Sequence, residues 1–406
     1  MRLPYSRQTV GAEEAAAVAA AVQDALLTGG PRLERFEAEL AAACGARHAI
    51  AVSSGTAALH VAYLAAGVTS GDTVLTAPIT FVATANAAFY CGAEPIFADV
   101  NAHGSLDQLA VARAIENGAR PRVVVPVHYA GHPAAIEAIV QAAPGALVIE
   151  DACHALGAEY RDEGGTWRRI GACAHSAMAV MSFHPVKTIT TGEGGAILTN
   201  DAALAAHCRR LRSHGVERER DLLESSDGPW WYEQQELGFN YRLTDLQAAL
   251  GSAQLGRLAG FVHRRRSIAA LYDELLAEEP FVNPVTPPSD TRSAYHLYAV
   301  RVPAGIRRAV VETLHGMGIG VQVHYIPVHL QPYYRRRLGT TPGQFPQAEA
   351  FYREVLSLPC FPEMTDTDVH AVVVALRAAA ARAVRGVSDG RSRHANLGAA
   401  QEGAPS

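Results

Sequence analysis

Between residues 48 and 200 the chain alternates short apolar runs with Ala-rich helical stretches, and this pattern constrains the fold more than any other feature. The runs are "HAIAVS" (48–53), "TVLTAP" (73–78), "PIFADV" (95–100), "RVVVPVH" (122–128) and "ALVIED" (146–151), then "HSAMAVMSF" and "GGAILTN". Most are rich in β-branched residues and apolar on both faces, as buried strands are. Between them lie helical patterns such as "GTAALHVAYLAAG" and "ITFVATANAAFYCG". Strands buried on both sides and separated by helices predict an α/β fold, a mainly parallel sheet with helices on each face. The last two runs read as strands joined by a tight connection, "HPVKTITTGE".

Residues 12–27 and 33–44 read as helices ahead of the sheet. From 244 to 275 the pattern is wholly helical, which predicts a long bridge from a large domain (1–250) to a smaller α+β domain (251–385). That smaller domain is predicted to hold strands at 296–302 and 320–325 and a helix near 305–316. Residues 386–406 carry little apolar content and are predicted to form a disordered tail.

Composition narrows the function. Thirty-five basic against 40 acidic residues give a formal charge of −5, with no basic surplus for nucleic acid or an anionic membrane. No secretion signal opens the chain, and no apolar run reaches about 18 residues. Cys44, Cys91, Cys153, Cys173, Cys208 and Cys360 form no CxxC pair, which points to reduced thiols in a cytoplasmic protein rather than a disulfide frame or zinc site. His184, His324 and His329 lack carboxylate or Cys neighbours at metal-site spacing, so no metal is expected. "HRRRS" (263–267) reads as a solvated helix face.

In open α/β sheets ligands sit where strands end and helices begin. Three such places carry chemistry. In "SSGTAAL" (53–59), Gly55 and Thr56 open a helix after a strand; this suits a phosphate, and equally a plain helix cap. In "VIEDACHALGA" (148–158) two acids end a strand. Alternation sends Glu150 to the opposite face, leaving Asp151 to hold a heteroaromatic nitrogen or to cap a helix. His154 is placed to lie over such a ring, to brace its hydroxyl, or to serve as a structural hydrogen-bonder. In "SFHPVKTITTGEGG" (182–195), Lys187 stands alone among Arg and His for many residues on either side. Only a lysine can give the free amine that a Schiff base requires. Read alone, Lys187 is equally a surface lysine on a hairpin. Ser182 can offer a hydroxyl to phosphate, and Phe81 either a face on which a ring stacks or plain core packing. A phosphate cup, an acid for a pyridine nitrogen and a placed lysine are the parts a pyridoxal 5′-phosphate enzyme needs.

In order along the chain, "VSSGTAAL", "TAPITFVATANA", "EDACHALGA", "SFHPVKTITTGEGGAILTND" and "ELGFNYRLTDLQAALG" closely resemble the DegT/DnrJ/EryC1/StrS family of nucleotide-sugar aminotransferases, from about residue 4 to 380. "PYSRQ", "ITFVATANAAFYCGAEP" and "VQVHYIPVHLQPYY" look like the branch that makes a pseudaminic-acid precursor. The resemblance implies an aspartate-aminotransferase-like (type I) fold and a cytoplasmic homodimer with shared sites. The implied reaction moves an amino group from L-glutamate to C-4 of a UDP-4-keto-6-deoxy-N-acetylhexosamine. Its product would be UDP-4-amino-4,6-dideoxy-N-acetyl-β-L-altrosamine. Lys187 matches the cofactor-carrying lysine, Asp151 the pyridine-nitrogen acid and Phe81 the stacking aromatic. Gly55, Thr56 and Ser182 match the phosphate cup, and Asn240 the asparagine that reaches it from the other subunit. Tyr5, Thr28, Gly29, Gly30, Ser54, Tyr241, His324 and Tyr325 fall where sugar-nucleotide contacts lie. "LLTGGP" departs from the branch, which has Gln or Lys before the second glycine, as does Cys153, where Ala is common. The alternatives are another keto nucleotide sugar of perosamine or desosamine type on a GDP or TDP carrier, a dehydratase (which would carry His for Lys187), or a non-catalytic regulator.

Overall fold

The computed structural model describes the backbone of residues 3–401 and the side chains of residues 3–385. Its centre is a seven-stranded sheet: β1 His48–Val52, β2 Thr73–Thr76, β3 Glu94–Phe97, β4 Val123–Val125, β5 Leu147–Asp151, β6 Met178–Ser182 and β7 Gly195–Thr199. The spatial order is β1-β7-β6-β5-β4-β2-β3. All neighbours run parallel except around β7, which is antiparallel to both β1 and β6. Every predicted run is thus a strand.

Alternation along each strand fills two cores. Ile50, Val52, Val123, Val125, Ile149 and Val180 pack against helix α3 (Gly55–Ala65) on one face. Ala49, Ala51, Ala179, Met181 and Leu198 face the other side, against Phe36 and Leu40 of helix α2 (Pro31–Cys44), which follows helix α1 (Ala12–Val22). Helix α4 (Val82–Tyr90) follows β2 and packs beside α3 through Ala83, Ala87 and Ala88.

Four sequence expectations change. The single helix predicted over 244–275 is two, Asp245–Gly256 and Leu258–Leu276, meeting at Arg257 just after a glycine. Beyond them Asn283–Pro284, Tyr298–Arg301 and Val355–Leu358 form an antiparallel sheet. The helices Ala304–Gly316 and Asp366–Gln401 pack with it in one core. The strand predicted at 320–325 is absent: Gln322 pairs with Ser357 alone, and the chain then leaves the sheet for the pocket described below. The connection between β6 and β7 is not tight. Residues 183–194 form a broad loop, closed at its base where Phe183 N–H donates to Gly194 O at 2.9 Å. Finally, the helix predicted over 12–27 stops at Val22. The backbone of the last helix runs to Gln401; the side chains of 386–401 and all of 402–406, on which the predicted tail falls, lie outside the described residues.

Among the described residues no helix is long and apolar enough to cross a membrane, and no cluster of three His, Cys, Asp or Glu could hold a metal ion. His329 instead pairs with Glu349, Nε2 to Oε1 at 3.1 Å.

Candidate active site

The carboxyl ends of β1, β5 and β6 and the first turns of α3 and α4 surround a cavity of about 480 Å³. Its wall at β1 is set by backbone contact. Ser54 caps α3, its hydroxyl accepting Ala57 N–H at 3.0 Å. The first amides of a helix have no intrahelical acceptor, so Gly55 and Thr56 present N–H groups where the dipole favours an anion. Two glycines permit this crowding. A Cβ on Gly55 would stand 2.9 Å from Ser182 Cβ, and one on Gly195 only 2.5 Å from the Ser54 carbonyl oxygen. The close approach carries the Ser182 hydroxyl, at the end of β6, to the start of α3.

Asp151 ends β5 and is nearly buried. Its Oδ2 accepts the Thr84 hydroxyl at 2.6 Å, and its Oδ1 the backbone N–H of Cys153 at 3.2 Å. Glu150 faces the other way, as alternation predicted, bonded to His128 Nε2 at 2.8 Å and to the Ser176 hydroxyl. Lys187 lies in the loop between β6 and β7, its N–H donating to His184 O at 2.8 Å. Burial pulls its amine below the usual lysine value, with Cys153 and Asp151 opposing that shift. It is also the only lysine in the chain: every other long cationic side chain is arginine.

Aromatic groups complete the enclosure. Phe81 is the residue before α4, its ring 59% exposed and 6.2 Å from that of Tyr325. The Tyr325 hydroxyl pairs with His154 Nε2 at 3.0 Å. Burial keeps the His154 ring well below its usual pKa and the Tyr325 phenol well above, so both are neutral. His324 bonds Ser357 Oγ through Nδ1 at 2.8 Å, and burial, with Lys187 nearby, lowers it to about 4. The Tyr5 ring lies 5.5 Å from the His324 ring.

One chain therefore gathers Tyr5, Ser54, Gly55, Thr56, Phe81, Asp151, His154, Ser182, Lys187, His324 and Tyr325 around the cavity. Five predicted residues do not line it. Thr28 bridges Thr244, and Gly29 and Gly30 form the turn into the helix Pro31–Cys44, with Gly30 N–H donating to Asp245 at 2.8 Å. Asn240 is exposed and bridges Ser213. Tyr241 reaches His60 Nδ1 at 3.3 Å. The sequence reading passed over Thr80, Thr84 and Glu193 and weighed His184 only as a metal ligand; all four line the cavity. No local pattern marks the two threonines: Thr80 precedes the N-cap Phe81 of α4, so helical spacing does not set its direction, and the partner of Thr84 is distant in sequence.

A helix-start anion cradle, a buried carboxylate and a half-buried lysine of depressed basicity fit the phosphate, ring nitrogen and aldehyde of pyridoxal 5′-phosphate.

Comparison with known proteins agrees. Residues 8–377 match the model of the DegT/DnrJ/EryC1/StrS aminotransferase family. The spore coat polysaccharide biosynthesis protein SpsC of Bacillus subtilis is 39% identical over 385 residues, covering 92% of this chain and 96% of that protein. The structure of Helicobacter pylori PseC, an aminotransferase involved in the biosynthesis of pseudoaminic acid, superposes with a TM-score of 0.86 at 31% identity, covering 93% of this chain and 99% of that one. S. venezuelae DesV superposes with a TM-score of 0.83 at 36% identity, over 93% and 98% of the two chains. The α/β fold is thus of the aminotransferase type, and the chain belongs to the DegT/DnrJ/EryC1/StrS family of pyridoxal-phosphate-dependent sugar aminotransferases.

Proposed function

We propose that this enzyme transfers the amino group of L-glutamate to C-4 of a UDP-4-keto-6-deoxy-N-acetylhexosamine. The product is UDP-4-amino-4,6-dideoxy-N-acetyl-β-L-altrosamine, on the way to pseudaminic acid. The convergence of Lys187, Asp151 and the Ser182–Gly55–Thr56 cradle on one cavity carries the transaminase assignment. The structural likeness to PseC supports the sugar.

Pyridoxal phosphate bound there would supply an electron sink for carbanion charge and a carbonyl carbon able to carry an amino group between substrates. The chain's own residues do the rest. Gly55, Thr56 and Ser182 would hold the phosphate. Asp151 would hold the ring nitrogen protonated, with Phe81 and His154 as the aromatic neighbours of the ring. Lys187, an amine that burial makes easier to deprotonate, carries the cofactor at rest and moves the substrate proton during turnover. Tyr5, Ser54, His324 and Tyr325 line the route of the sugar. Thr28, Gly29, Gly30, Asn240 and Tyr241 stand outside this cavity and act across a homodimer interface, completing the partner's site. The enzyme is cytoplasmic.

Absorbance before and after glutamate tests this. A visible band should move to the ultraviolet, then return when the UDP-4-keto sugar is added. Failure to return would discard this sugar while keeping the transaminase. Lys187→Ala should bind cofactor and turn over at least ~10³-fold more slowly, because the base nearest the reacting carbons is gone. Near-normal turnover would overturn its role. Identity to SpsC (39%) and DesV (36%) above that to PseC (31%) favours a second reading, a different keto nucleotide sugar on a GDP or TDP carrier. The same spectral return, tried with those sugars, separates the two.

A further inference from the structure

We infer that Thr84, backed by Thr80, is a positioning residue for Asp151, setting the carboxylate that receives the cofactor's ring nitrogen. This rests on the pyridoxal-phosphate assignment and adds two residues to it.

The geometry is a short chain of hydroxyls. Thr84 Oγ1 lies 2.6 Å from Asp151 Oδ2, and Thr80 Oγ1 lies 2.8 Å from Thr84 Oγ1. An ionised carboxylate can only accept. Thr84 therefore gives its single hydroxyl proton to Asp151, and Thr80 must donate to Thr84. Every hydroxyl in the chain then points at the carboxylate. Thr80 and Thr84 are 1% and 0% exposed, so water does not compete for these bonds. Thr84 is anchored from behind as well, because its carbonyl accepts the Tyr63 hydroxyl at 2.9 Å. Burial keeps Tyr63 a neutral donor.

The consequence for Asp151 is orientation and charge. Cys153 N–H occupies Oδ1 and Thr84 occupies Oδ2, which fixes the carboxyl plane. A donor to a carboxylate strengthens its anionic form. Where that carboxylate meets a pyridine nitrogen, the proton is then favoured on nitrogen. Thr84 also sits in the first turn of α4, three residues beyond Phe81, and its N–H donates to Phe81 O at 3.2 Å. The same turn thus places the ring's stacking face and braces its acid.

The test uses full-length protein reconstituted with pyridoxal phosphate labelled with ¹⁵N in the ring. Wild type and Thr84→Ser should bind within ~3-fold of each other and show a pyridinium ¹⁵N shift. Thr84→Val, the same shape without the hydroxyl, should bind the cofactor ~10- to 100-fold more weakly, as expected for a lost bond to a charged group, with the ¹⁵N shift moved toward neutral pyridine. Thr80→Val should move both in the same direction by less. An unmoved ¹⁵N shift in Thr84→Val overturns the inference. So does equal weakening in the Ser and Val variants alongside equal loss of urea resistance, because that marks a purely structural role. Absence of a pyridinium signal in wild type would instead remove the Asp151 assignment itself, and Thr84's with it.

Discussion

Two carboxylates stand side by side at the end of β5, and the surroundings of each differ in kind. Glu150 is closed off: His128 and Ser176 take both its oxygens, and His128 in turn accepts the Ala134 N–H at 2.9 Å, so all the polar groups find partners within the fold. Asp151 is held from behind by Thr84 and Cys153 but faces a cavity. One residue of strand alternation separates a structural acid from one available to a ligand. What distinguishes them is where the remaining hydrogen-bonding capacity points, since burial is nearly equal, 2% and 5% exposed.

The comparison can be broken by exchanging the consequences. Asp151→Asn should lower kcat by at least ~10²- to 10³-fold while leaving the urea midpoint close to wild type, since the charge acts on the ligand. A large stability loss with retained turnover would reverse the two roles. Glu150→Gln should do the opposite: about 2 kcal/mol less stability, from losing a buried hydrogen bond to a carboxylate, with kcat within ~3-fold. Both effects are read from paired denaturation and steady-state rates. The smallest test sits beside Glu150's partner. His132, hydrogen-bonded to Ser293 Oγ at 2.7 Å and Val285 O at 3.1 Å, is lowered to about 4 by burial. Between about pH 6.5 and 4 the unfolded chain binds a proton at this histidine and the folded chain does not. Stability is therefore full above 6.5 and falls on acidification, by about 1.4 kcal/mol per pH unit across that window for this group. His132→Gln should flatten that slope; an unchanged slope would remove His132 from the acid response.

Much of this was legible in the residues because strand alternation and the strand-to-helix turns are local. The seven runs, the side taken by Glu150 and the gathering of Lys187, Asp151 and Ser182 follow from patterns a few residues long. Thr84 was hidden because its value comes from a partner 67 residues away, which no local pattern reports. The broad loop at 183–194 was misread as a tight turn because β-propensity locates strands and says nothing of what the chain between them must reach. The missing strand at 320–325 failed for a related reason. Its alternation is real, but His324 and Tyr325 are used by the cavity rather than by a neighbouring strand. Asn240 and Tyr241 carry a family-like motif that lies outside the cavity lining of this chain, which a motif alone does not report.

The antiparallel strand β7 has a consequence for how the molecule is made. β1 stands at the edge of the sheet with β7 as its neighbour, so residues 48–52 pair with residues 195–199. During synthesis the apolar run "HAIAV" must wait for nearly the whole first half of the chain before it can join the sheet. The cradle at Ser54–Thr56 closes only when Gly195 arrives against it. A nascent chain stopped short of residue 199 would present an unpaired strand edge, the kind of surface that aggregates or recruits chaperones. Cofactor capture thus becomes possible only after the strand 195–199 has joined β6 and given β1 its partner.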